Sequence, residues 1–107
     1  MKPSELTPHR AYFFCSFAPG TENVPVVETY RYIGLASDVL GGPPGEKKEH
    51  IFQDVESYYE ERGGNLSEGL SPTERGFVLV AESEIAALVQ DYDEAILFLE
   101  SCKHASP

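Results

Sequence analysis

The stretch His9-Arg10-Ala11-Tyr12-Phe13-Phe14-Cys15-Ser16-Phe17 alternates Phe13, Cys15 and Phe17 with Tyr12, Phe14 and Ser16, the period of two that suits a strand with one face in a core. Pro19-Gly20-Thr21-Glu22-Asn23 follows with turn chemistry, and residues 24–35 beyond it are rich in Val, Tyr, Thr and Ile. Together these pieces predict a β-hairpin. Its second strand sets Val27, Thr29, Arg31 and Ile33 on one face and Val26, Glu28, Tyr30 and Tyr32 on the other, so half-burial on both sides is expected.

Beyond the hairpin, Gly34 interrupts the strand and Gly41-Gly42-Pro43-Pro44-Gly45 excludes regular structure, because glycine is conformationally permissive and proline lacks a backbone donor. The same prolines argue against a phosphate cradle, which needs converging N–H groups. His50-Ile51-Phe52-Gln53 is read as a third strand leading into Asp54 as an N-cap, the alternative being an earlier helix start. Ile51, Phe52, Val55, Tyr58 and Tyr59 recur at the helical period, with Asp54, Glu56, Glu60 and Glu61 opposite and Gly63-Gly64 as the stop. An amphipathic helix over 54–62 is therefore expected.

Ser71-Pro72-Thr73-Glu74 has capping-box spacing with Gly76 close behind, which fits a single helical turn. Residues 77–81 are apolar and rich in β-branched valine, a buried strand, and Ser83 is placed to cap the next helix. Ile85, Leu88, Val89, Tyr92, Ile96 and Leu99 lie three and four apart, so a helix over 84–102 should carry a continuous core-facing stripe. Asp91 with Glu94 also has capping spacing, so this helix either runs through Gln90-Asp91-Tyr92-Asp93-Glu94 or splits there. The resulting ββ(β)αβα order predicts an α+β fold: a two-layer sandwich of an antiparallel-rich sheet with two helices packed on one face. A chain of 107 residues, 41% hydrophobic, fits one domain spanning 1–107, with 1–8 flexible and 103–107 a frayed tail.

Charge is distributed unevenly. Residues 51–107 hold twelve acidic residues against three basic ones, whereas 1–50 hold six against five. The formal net charge of −10 disfavours nucleic-acid phosphates and anionic lipid, and it favours a basic partner surface. The N-terminus carries two prolines and no apolar stretch of a secretory signal, and no apolar run approaches the roughly 20 residues needed to span a bilayer, so a cytoplasmic location without membrane attachment is expected. Cys15 among phenylalanines and Cys102 near a helix end read as small hydrophobes of a reducing compartment, with their proximity left to the fold.

No motif assigns a cofactor. A calcium loop starting at Asp91 would need glycine where Ile96 stands, and His9, His50, His104, Cys15 and Cys102 lack the paired short spacings of a zinc site. No nucleophile elbow is present, and burial opposes thiolate formation at Cys15. The expected site is an acidic surface comprising Asp54, Glu56, Tyr59, Glu60 and Glu61 with Asp91, Asp93 and Glu94, where Tyr59 would anchor a partner within an acidic surround. The competing account of these carboxylates is a solvated helix face. The residues thus suit two function classes: a non-enzymatic interaction module of the inhibitor or immunity type, binding a basic protein, or a small-ligand-binding protein or enzyme. The latter would place its pocket between the sheet and the Gly41 to Gly45 loop, with Arg31 and His50 nearby. A homodimer through exposed tyrosines or the hairpin edge is compatible with either.

Overall fold

The computed structural model of the chain describes residues 1–20, 24–41, 48–65 and 68–105, with 104 and 105 described by backbone alone. Strands β1 (Ala11–Phe17) and β2 (Pro25–Leu35) form the expected antiparallel hairpin, with Tyr12 opposite Tyr30 and Phe14 opposite Glu28. Strand β3 (Glu49–Asp54) pairs with β2, and β4 (Phe77–Ala81) pairs with β3, both antiparallel. A two-residue strand β5 (Val89–Gln90) adds to the free side of β1 and gives the sheet order β4-β3-β2-β1-β5. Four helices accompany the sheet: α1 (Ala36–Leu40), α2 (Val55–Arg62), α3 (Ile85–Leu88) and α4 (Tyr92–Ala105). The fold is α+β.

The short connection from β4 to β5 constrains the sheet. Ala81 and Val89 are joined only by a 3-10 turn at Glu82–Glu84 and by α3. At about 1.5–2 Å per residue this helical connection advances roughly 12–16 Å, while the edges of a flat five-stranded sheet stand roughly 19 Å apart. The sheet therefore curls, bringing β4 and β5 toward each other. The curl closes around Tyr12, Tyr32, Phe52 and Val80, with Ile85 and Val89 from the crossover completing the cluster. Phe52 is its centre, with Tyr12, Phe14 and Tyr32 rings at 6.3, 5.2 and 5.3 Å.

Two side chains of the segment 1–8 reach this core. Met1 and Leu6 pack against the cluster, the Met1 ammonium meets Glu94 Oε2 at 3.1 Å, and the Thr7 N–H donates to the Tyr12 hydroxyl at 2.8 Å.

Local signals in the chain hold closely around α2. Asp54 ends β3 and caps α2 by accepting the Ser57 N–H at 2.8 Å. Gly64, at φ +76, lets the Asn65 N–H reach the Glu60 carbonyl and the Gly64 N–H reach the Glu61 carbonyl, the paired bonds of a Schellman stop. Because Ile51 and Phe52 belong to β3, α2 keeps only Val55 and Tyr58 for packing and fully buries no residue. Its amphipathic stripe is shorter than the sequence period implied. Ser71 and Glu74 exchange reciprocal hydrogen bonds, each at 3.2 Å, around a single turn that enters β4.

The helix expected over 84–102 is divided. Ser83 lies inside the 3-10 turn and caps nothing; α3 ends at Leu88, and Val89 turns extended to pair with Phe14. Asp91 and Glu94 then form a capping box, with the Glu94 N–H donating to Asp91 at 2.8 Å and the Asp91 N–H to Glu94 at 3.1 Å. The stripe is divided with it. Ile85, Val89, Ala95 and Cys102 are buried, while Leu88, Tyr92, Ile96 and Leu99 are exposed. Helix α4 meets the sheet face opposite the aromatic cluster, through Phe13 on Tyr92 and Phe17 on Phe98, and α2 meets that same face through Arg31 and Gln53. α4 continues to Ala105, past the expected start of a frayed tail at 103.

Candidate functional site

The eight residues of the expected acidic surface have different environments. Asp54 caps α2, and Asp91 with Glu94 caps α4, so three carboxylates already accept backbone N–H groups. Glu61 faces inward: it accepts from the buried Gln53 amide at 2.7 Å and is ion-paired with Arg75. Burial of Glu61 pushes its pKa upward, but the bonds from Gln53 and Arg75 and the charges of Arg75 and Arg62 outweigh that and hold it below the ordinary value of 4.5. Glu56, Glu60 and Asp93 point to solvent. Tyr59 is exposed, and its hydroxyl accepts from Arg31 Nη2 at 2.6 Å.

Helix α4 carries the chemistry that sequence reading assigned to the core. Leu97 is 65% exposed, Tyr92 54%, Ile96 51% and Leu99 43%. Tyr92, Ile96 and Leu99 lie four and three apart and share one side of the helix; Asp93 and Glu100, seven apart, form the adjoining row, with Leu97 beside them. An apolar strip edged by carboxylates thus faces solvent. Isolated exposed apolar side chains are ordinary, whereas a contiguous strip rimmed by charge is less so. The sequence concealed this because an apolar stripe has the same spacing whether the fold covers it or not.

His50 is a strand histidine, as expected, but it is buried. Its Nδ1 lies 2.8 Å from the Tyr32 hydroxyl and its Nε2 3.4 Å from Glu82. Burial, and then the charges of Asp38, Tyr12 and Glu82, push the Tyr32 phenol upward, so the hydroxyl stays protonated and pairs with Nδ1. Satisfied on both sides, this trio joins β2, β3 and the end of β4 within the core.

A cleft of about 360 Å³ opens between α2 and the sheet, lined by Ile33, Gln53, Glu61, Arg62, Arg75 and Phe77. The expected pocket beside residues 41–45 falls largely outside the described residues, which include only Gly41 of that loop. Among the described residues no group of three or more His, Cys, Asp or Glu is placed to hold a metal ion, and no helix is long and apolar enough to cross a membrane. Cys15 and Cys102 lie close enough that the charge of Cys102 adds to burial in pushing the Cys15 thiol upward.

No family model matches the chain, and no curated protein or solved structure is similar to it.

Proposed function

We propose that the chain is a non-enzymatic interaction module of the cytoplasm, acting in the manner of an inhibitor or immunity protein, whose α4 surface engages a basic amphipathic segment of a partner protein. One observation carries this reading: the exposed row Tyr92, Ile96 and Leu99 runs beside the acidic row Asp93 and Glu100. Apolar side chains of a partner would gain burial on the first row, and lysines or arginines would meet the second, so charge sets orientation while burial supplies affinity. Glu56 and Glu60 on α2 add acidity and steer a basic partner at longer range.

A second copy of the chain is the less favourable occupant. Antiparallel docking of two α4 helices would set Asp93 of each against Glu100 of the other, in molecules that each carry −10.

A synthetic amphipathic helix of leucine and lysine serves as the probe, titrated while backbone amides are followed by NMR. The expected result is saturable perturbation of α4 amides, weakened by salt and lost in Ile96→Asp. Perturbation confined to other surfaces overturns the reading, as does a stable homodimer of the free protein in analytical ultracentrifugation.

A further inference from the structure

In a chain with a net charge of −10, Arg31 and Arg62 have no carboxylate at ion-pair distance among the described residues, and they stand together. Their guanidinium carbons lie 5.5 and 4.9 Å from the centroid of the same ring, that of Tyr58. Both also hold His9. Arg31 Nη1 donates to the His9 carbonyl at 2.8 Å, and Arg62 Nη2 donates to His9 Nδ1 at 2.7 Å. Arginine can only donate, so Nδ1 is an acceptor here.

This gathering has a cost in backbone conformation. His9 has φ +70, the only positive φ at a non-glycine position among the described residues. Such a conformation costs on the order of 1 kcal/mol or more and persists where its surroundings over-determine it, which occurs most often at functional sites. Arg31 Nε is moreover buried with no acceptor, a donor that the protein alone leaves unsatisfied.

Arg62 is also a wall of the cleft. Of the charged groups lining that cleft, Glu61 is neutralised by Arg75, which leaves Arg62 as the surplus charge, while Ile33 and Phe77 supply apolar wall. A concavity of about 360 Å³ is at the small end of the range that holds compact organic ligands. We propose that this cleft binds a small organic anion, its carboxylate or phosphate held by the Arg62 guanidinium, with Arg31 behind it at the same Tyr58 ring adding positive charge, and its apolar body lying on Ile33 and Phe77. Guanidinium forks match both oxyanions, and the acidity of the rest of the surface confines anion capture to this spot.

The test is a titration of the intact protein with benzoate, with phenyl phosphate, with inorganic phosphate and with benzyl alcohol, followed through backbone amides and arginine Nε–H signals. Saturable shifts at Arg62, Gln53 and Phe77 with either aryl anion, and much weaker ones with inorganic phosphate or benzyl alcohol, are expected; the stronger aryl anion names the head group. Arg62→Gln should weaken binding about tenfold, while Lys48→Gln, an exposed cation elsewhere, should leave it unchanged. Absence of saturation by both aryl anions at millimolar concentration in the native protein overturns the proposal, and so does equal binding of benzyl alcohol.

Discussion

The backbone N–H of Asp54 donates to the carbonyl of Gly76 at 3.2 Å, and the Asp54 carboxylate with the Ser57 hydroxyl fills the space that a side chain on residue 76 would need. One contact thus joins the end of β3, the cap of α2 and the entry to β4. Gly76 has φ +75, so Gly76→Ala meets both an unfavourable backbone region and a steric clash. A loss of about 2 kcal/mol or more is expected in urea denaturation. Gly69→Ala, at φ +78 with open space around it, isolates the backbone contribution and should cost only about 1 kcal/mol.

Stability toward acid should depend on Glu61. Its pKa is lowered in the folded state, so the unfolded chain binds the proton more readily and acid favours unfolding. The stabilisation is full above the ordinary value of 4.5 and is lost as pH falls through the lower folded value. Urea midpoints measured from about pH 6 downward should fall more steeply for the native protein than for Glu61→Gln, which has no such proton to take up. Equal slopes would mean that the Gln53 and Arg75 contacts do not persist in solution.

The division of the C-terminal apolar stripe predicts opposite outcomes for two aliphatic residues. Ile85 is fully buried between the curled sheet and the crossover, and Ile85→Ala should cost about 2–5 kcal/mol. Leu97→Ala should change stability by no more than about 0.5 kcal/mol, because Leu97 faces solvent. A large loss at Leu97 would show α4 to be covered in the free protein. The α4 docking surface would then be untenable.

Removal of one hydroxyl should expose the tension in the core polar trio. Tyr32→Phe leaves His50 Nδ1 buried without its hydrogen-bond partner, which is expected to cost about 1–3 kcal/mol in thermal or urea unfolding despite conserved shape. A neutral outcome would place a water or another partner at that nitrogen.

The Cys15 thiol should be sluggish. Burial first, and the neighbouring Cys102 second, push the Cys15 thiol above its ordinary value of 9.0, so little thiolate exists near neutral pH. Alkylation by iodoacetamide at pH 8 should be slower than for a free cysteine peptide, and denaturant should abolish the difference. Rapid labelling of the native protein would contradict the partial burial of Cys15.

Features set by a few adjacent residues were legible without coordinates. The β1–β2 hairpin, Asp54 as the junction of strand and helix, the Gly63-Gly64 stop, and the reciprocal pairs Ser71–Glu74 and Asp91–Glu94 each depend on spacings of four residues or fewer, or on strict alternation. Local backbone geometry imposes those spacings, so they are written directly into the chain. Which apolar face is covered is another matter. Val89 satisfies a helical period, yet a vacant edge beside Phe14 draws it into β5, and Ile96 and Leu99 beyond the break face outward. His9 and Arg62 meet across 53 positions of chain, and Met1 reaches Glu94 across 93. No local pattern encodes such contacts, because they exist only once the sheet has curled and closed its core; period and capping determined the elements, and the competition among them for one buried volume determined what was left exposed.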